Sequence, residues 1–329
     1  MAGLYKIYAK PPLSRLSSHT LVNVNIIYPS NWTKSVQKLL ASRKMAIFPT
    51  IFPVLPKYPG PYEVGSLDLE VPLEEIKEFP ITETKSETIL VRFFYPAKND
   101  GIRRPAPTWL PQPAREYAKG YADFLKQPVL PTSLVISLAV YNTTIPAAEG
   151  APPIQPHPNS RLPVMVFSHG LGGSRNAYSQ WCGSMASHGI FVAAIEHRDG
   201  SAPNSVVKAG TKEQYPVPYR RITEYNEHTK DLRTSQLAQR TFEVSKLVAL
   251  LKDMNLGNVR SIPDEKKKAI EPFKGLLNTE KGQFIMAGHS FGAATTVAAC
   301  KDKENAAGDY PLKDEFRAAI MLDIWMMVM

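Results

Sequence analysis

The 329 residues are 43% hydrophobic and 21% charged, the composition of a globular chain long enough for one large domain or two ordinary ones. Cys182 and Cys300 stand alone, without CxxC or Cys/His spacing, which excludes a disulfide framework and a zinc site and fits a reducing, cytoplasmic setting. Of the net charge of +9, eight positive charges fall before Tyr62, leaving +1 for the rest, so no basic face for nucleic acid is expected.

In chain order, residues 1–58 form a basic extension without a single acid; Glu63 is the first. This extension is predicted to be disordered and dispensable, and residues 59–329 to form the folded domain. Lys6, Lys10 and two prolines interrupt MAGLYKIYAKPPL, so it offers no secretory core. The acid-free start also resembles a transit peptide, although Arg15 and Arg43 are its only arginines; an organellar address is therefore the alternative to the cytoplasm. No run of about 18 apolar residues occurs, so no transmembrane helix is predicted. Asn31 and Asn142 lie in glycosylation sequons that read as chance without a secretory signal.

The proline-rich stretch 46–62 marks a boundary. ETILVRFFYPA (87–97) is rich in β-branched and aromatic residues and reads as a strand. Residues 98–160 read as irregular, with 132–141 open to helix or strand. A regular rhythm follows. LPVMVFSHG (162–170), FVAAIEH (191–197), FIMAG (284–288) and AAIMLDI (318–324) are short apolar runs. Helices are predicted near 176–188, at 229–252 and from the end of FIMAG to about 303, and 198–228 reads as a polar loop. Continuous apolar strands alternating with helices predict an α/β fold with a mostly parallel sheet covered on both faces. Ligands bind such sheets beyond the carboxyl ends of the strands.

The candidate chemistry lies at those ends. Gly288-His289-Ser290-Phe291-Gly292 fits G-x-S-x-G between a strand and a helix, the context a nucleophile elbow needs. Gly288 and Gly292 remove side chains that would clash across the sharp turn, and Ser290 is the candidate nucleophile. An oxyanion hole needs two backbone N–H groups aimed at one developing charge. Phe291 supplies one from the helix start. The other is assigned to Leu171 in His169-Gly170-Leu171-Gly172-Gly173, the loop after an earlier strand. Asp323 closes the last apolar strand and is the candidate acid. The fold's order is Ser, acid, His, yet His289 is the last histidine of the 329 residues. His197 is the best substitute, although Glu196-His197-Arg198-Asp199 reads better as a strand-end ion-pair cluster. No metal-ligand spacing occurs, and neither metal nor organic cofactor is expected.

These segments resemble the platelet-activating factor acetylhydrolases, in the monomeric lipoprotein-associated and intracellular type II branch. GPYEVG (60–65), LVRFFYPA (90–97), VMVFSHGLGG (164–173), ASHGIFVAAIEHRDGSA (186–202), GHSFGAAT (288–295) and LDIW (322–325) carry the resemblance over roughly 59–326. Thr144-Ile145-Pro146 is similar to fungal members. The resemblance implies the α/β-hydrolase fold and a calcium-independent serine esterase acting on the sn-2 acetyl, or a short or oxidised acyl chain, of a phospholipid at a membrane or lipid-particle surface. It implies Ser290 as nucleophile, Asp323 as acid, Leu171 and Phe291 as oxyanion donors, and a histidine beyond LDIW. Here the chain reads MMVM after LDIW. The sequence therefore predicts a hydrolase lacking its last strands and helix, inactive as written, with 318–324 as a bare apolar edge and WMMVM as an aggregation-prone tail. An inactive binding protein of the same fold and an esterase for a soluble ester are the competing readings.

Overall fold

A computed structural model describes residues 20–23, 55–140, 143–155, 160–223, 226–259, 262–301, 312 and 314–323. The WMMVM tail, Asn31 and Asn142 lie outside them.

Eight strands form one sheet: β1 (Thr20–Asn23), β2 (Glu63–Phe79), β3 (Thr84–Ala97), β4 (Ala148–Glu149), β5 (Val164–Ser168), β6 (Phe191–Glu196), β9 (Phe284–His289) and β10 (Phe316–Leu322). Their spatial order is β1-β10-β9-β5-β6-β3-β2-β4. The neighbours from β1 through β6 run parallel, whereas β3 is antiparallel to both β6 and β2. This order, with its antiparallel strand on one side of a parallel core, is the α/β-hydrolase sheet. After β5 the chain moves to β6 on one side, then returns to place β9 on the other. The carboxyl ends of β5 and β9 thus flank the point where strand order reverses, which is where such sheets bind ligands.

The central strands are apolar throughout because helices cover both faces. In β5, Val164 and Val166 enter one core and Met165 and Phe167 the other. β6 alternates likewise, with Phe191, Ala193 and Ile195 against Val192 and Ala194. The first core is closed by Val244, Leu247, Val248 and Leu251 of α4 (Glu227–Leu256), all fully buried. The second is closed by Cys182 and Ala186 of α3 (Ser179–Ser187). Asn226 caps α4 by accepting from the Thr229 N–H at 3.0 Å. The remaining helices are α1 (Ala114–Phe124), α2 (Val129–Val140), α5 (Asp264–Ile270) and α6 (Phe291–Lys301).

Several expectations need correction. The loop at 198–228 contains a hairpin, β7 (Asn204–Val207) with β8 (Tyr215–Pro218). Asn204, Ser205 and the prolines of β8 hid its alternation. β2 was not read as a strand because Pro72 and its acids break the pattern; its pairing with β3 shifts register between Pro72 and Lys77. The apolar strand after Asp314 is not a bare edge, since β1 pairs beside β10 with Thr20 opposite Ala318 and Asn23 opposite Met321. Residues 1–58 thus contribute β1 to the sheet, and packing resumes from Leu55. The Leu55 N–H donates to the Thr144 carbonyl at 3.0 Å. The Tyr58 ring lies over Gly183, where a Cβ would come within 2.0 Å of it.

Candidate active site

β9 ends at His289 and α6 begins at Phe291, so Ser290 occupies the turn alone, in the left-handed region at φ 54°. An L-residue adopts that conformation only where its surroundings impose it. Here two glycines impose it. A Cβ on Gly288 would fall 2.1 Å from the Gly292 carbonyl oxygen, and a Cβ on Gly292 2.0 Å from that of Ser168. The elbow is therefore wedged against the end of β5. The Ser290 N–H donates to the Leu322 carbonyl at 2.9 Å, and the Ser290 carbonyl accepts from Ala293 and Ala294 to start α6. Ser290 itself remains half-buried and reachable.

The glycine loop lies directly over it. A Cβ on Gly170 would meet Ser290 Cβ at 3.2 Å and the His289 carbonyl at 3.1 Å. Leu171 follows, between fixed neighbours. The Gly170 N–H donates to Tyr178 Oη at 3.3 Å, and the Gly172 N–H donates to the Ser201 carbonyl at 2.8 Å. Leu322 pairs with His289, so Asp323 and Ser290 leave adjacent strands at the same level. Asp323 is exposed, also left-handed at φ 46°, and close enough for its charge to act on His289. Ser290, Phe291, Leu171 and Asp323 thus meet at one end of the sheet.

Four histidines have described contacts, and among the described residues none of these contacts is to Ser290. His169 and His197 are fully buried. The His197 N–H donates to His169 Nε2 at 3.2 Å, so the His169 proton is on Nδ1 and is given to the Gly170 carbonyl at 2.8 Å. Burial, then the Arg240 guanidinium, holds His169 down at about 4, in keeping with that neutral ring. His197 Nε2 lies 2.8 Å from Ser168 Oγ and Nδ1 2.7 Å from Glu243 Oε2. Desolvation, then Arg240, pushes His197 well below its ordinary value, and desolvation with Asp199 lifts Glu243 to about 8. His197 is therefore occupied inside the protein and does not serve Ser290. His289 Nδ1 contacts Tyr178 Oη at 2.8 Å, and His188 contacts the Ser184 carbonyl at 2.8 Å on the exterior. His19 and His157 lie outside the described residues.

The segment 196–199 is a cluster of ion pairs whose members point in different directions. Glu196 takes Arg175 at 2.8 Å, and Arg198 takes Glu70 at 2.9 Å. Asp199 takes Arg240 at 2.7 Å with both side chains fully buried. Asp68 is held well below the carboxylate range by Arg175 and Arg92, which outweigh its desolvation. Gln236, Gln239, Arg240 and Glu243, all buried, extend the apolar stripe of α4 as a polar stripe hydrogen-bonded to the Asp199 carbonyl, Thr82, the His169 carbonyl and His197 respectively. Being polar, they stand outside the apolar periodicity that marks the helix in the sequence. Their i, i+3, i+4, i+7 spacing, continued by Leu247 and Leu251, was the available signal.

A relative of Schizosaccharomyces pombe, named there as a phospholipase A2 candidate, is 37% identical over 297 residues, covering 83% of this chain and 65% of its own length. A platelet-activating factor acetylhydrolase of Bos taurus is 30% identical, covering 90% of this chain and 59% of its own. The chain thus spans about three fifths of the length of the curated relatives it matches. Among solved structures, a ferulic acid esterase from Streptomyces cinnamoneus has a TM-score of 0.48 at 17% identity, covering 76% of this chain and 59% of that one. The family profile of platelet-activating factor acetylhydrolase, isoform II, matches residues 52–329, and the chain belongs to that family.

Proposed function

We propose that these residues carry the nucleophile and oxyanion hole of a serine esterase that hydrolyses the sn-2 acetyl, or a short or oxidised acyl, ester of phospholipids. Ser290 Oγ attacks the ester carbonyl while the Leu171 and Phe291 N–H groups receive the developing oxyanion. The lysolipid alcohol leaves, and water then releases the acid from the acyl-enzyme. Asp323 orients and stabilises the general base. The observation that carries this reading is the left-handed Ser290 wedged beneath Gly170. No described histidine contact reaches Ser290, so a polypeptide of these 329 residues alone is expected to hydrolyse esters only at background rate. A longer chain that brings a histidine to Ser290 is expected to be active. The test is hydrolysis of a short-chain sn-2 ester by both polypeptides; equal, enzymatic rates from both would contradict it.

The proposed place of action is a lipid surface, supported by α2. This helix has no charged residue, and Leu130, Leu134, Val135 and Leu138 are 60–75% exposed. Only Ile136 and Val140 lean on the core around Tyr117. The helix follows α1, whose Phe124 packs over Gly172 of the oxyanion loop. A bilayer under α2 would thus lie beside the site, which favours a phospholipid over a soluble ester. None of the described helices is long and apolar enough to cross a membrane. Leu134→Glu with Leu138→Glu is expected to abolish vesicle binding while sparing hydrolysis of a monomeric soluble ester. Unchanged vesicle binding would remove the surface from the proposal. The proposed cytoplasmic setting is supported by the two free cysteines, Cys182 and Cys300.

A further inference from the structure

Arg240 is completely buried in the middle of α4, with every nitrogen engaged. Nε donates to Asp199 Oδ2 at 2.7 Å and Nη2 to Ser201 Oγ at 2.5 Å. Nη1 donates to the His169 carbonyl at 2.8 Å, and reaches Thr295 Oγ1 at 3.3 Å and Ser168 Oγ at 3.4 Å. The guanidinium carbon lies 4.4 Å from the centroid of the Phe291 ring. These contacts fall on both halves of the proposed oxyanion hole.

On the loop side, Leu171 is gripped from two directions. Two residues upstream, the His169 carbonyl accepts from Nη1. One residue downstream, the Gly172 N–H donates to the carbonyl of Ser201, whose hydroxyl accepts from Nη2. Ser201 also donates to Asp199 through its N–H and its hydroxyl, so the Ser201 grip is fixed to the same ion pair. On the elbow side, the cation sits on the Phe291 ring, and Thr295 Oγ1, which accepts from Nη1, donates to the Phe291 carbonyl at 3.1 Å. A planar five-donor fork can hold both partners at fixed relative positions, whereas an ammonium can address only one point.

We infer that Arg240 is a positioning residue that holds the Leu171 and Phe291 N–H donors in mutual register, one guanidinium bridging the glycine loop and the helix after the elbow. The inference rests on the proposed esterase reading for its catalytic meaning, but its geometry can be tested without it. Oxyanion donors act only when aimed at the oxyanion's position, and removing one costs about 10²–10³ in kcat. Letting the two donors drift apart should cost a comparable factor, with the ground-state substrate bound nearly as before.

The test is Arg240→Lys and Arg240→Met in the full-length protein, with Arg198→Lys as a control at an equally buried arginine that faces Glu70 and Ser205 instead. Arg240→Lys keeps the charge beside Asp199 and decides the matter if Arg240→Met does not fold. The expected result is a kcat lowered about 10²-fold with KM within about threefold. Amide hydrogen exchange at residues 170–173 and 291–295 should be at least about tenfold faster, with β5 and β6 unchanged. Arg198→Lys should lower the melting temperature while leaving kcat and those amides alone. If wild type has no Ser290-dependent activity, the esterase reading fails, and exchange alone decides whether Arg240 holds the two segments. Wild-type exchange in Arg240→Lys overturns the inference, and so does faster exchange with an unchanged kcat in an active enzyme.

Discussion

The two sides of the site are built differently. Ser290, the glycine loop and the start of α6 rest on a buried polar scaffold in which Arg240, Asp199, His169, His197 and Glu243 exchange hydrogen bonds. Asp323 ends a strand in the open, exposed and outside that scaffold. In the proposed mechanism the first side fixes where an oxyanion sits, which demands tenths of an ångström and therefore rigidity. In that mechanism the second serves a base that must reach in. Two aspartates thus have opposite expected signatures. Asp199 is expected to matter for stability and Asp323 for chemistry.

The substitutions that test this contrast differ in size. Ser290→Ala in an active full-length protein is expected to lower kcat about 10⁶-fold without altering the melting temperature; a loss of less than tenfold would place the nucleophile elsewhere. Asp323→Asn is expected to lower kcat about 10⁴-fold and, at an exposed position, to change stability by no more than about 0.5 kcal/mol. Asp199→Asn should do the reverse in stability, costing about 3–5 kcal/mol because it leaves the buried Arg240 cation uncompensated. Urea denaturation of the two variants side by side decides it, and equal losses would erase the distinction. Gly292→Ala should be comparably severe, because its methyl would be driven to 2.0 Å from the Ser168 carbonyl and push the elbow off β5.

The smallest effect concerns pH. Folding holds His169 at about 4, against 6.5 for an unburied ring. Below 6.5 the unfolded chain therefore binds the extra proton first. The stability this group contributes is fully present above about 6.5 and is lost as pH falls toward about 4, up to about 3 kcal/mol. His197 shifts in the same direction. Protonating His169 Nε2 also removes the acceptor for the His197 N–H. His169→Gln should flatten the stability profile between pH 4 and 6.5, and an unchanged slope would assign the loss to other groups.

The sequence showed the apolar strands and the elbow because each depends on local signals, a run of branched residues or glycines at fixed offsets. Val164–Ser168 and Phe191–Glu196 fall within the predicted runs, Phe284–His289 runs one residue past its predicted run of 284–288, and α4 overlaps its predicted span. The scaffold was mostly illegible because its members are polar and come from distant segments. Arg240 lies 71 residues from the His169 carbonyl it holds, and Glu243 lies 46 from His197. Gln236, Gln239 and Arg240 add nothing to an apolar pattern, and partners supplied by folding let these polar residues be buried. The hairpin at 204–218 escaped for a related reason, since Asn204 and Ser205 are buried by their hydrogen bonds to Glu116 and Glu196.

Ser290 is the proposed nucleophile of the elbow, and every other assignment depends on it. Its most direct measurement is labelling of the active full-length protein with a fluorophosphonate, followed by peptide mass spectrometry. One adduct is predicted, on the peptide containing Ser290, appearing as esterase activity disappears and absent in Ser290→Ala. An adduct on another serine, or loss of activity with Ser290 unmodified, would contradict it.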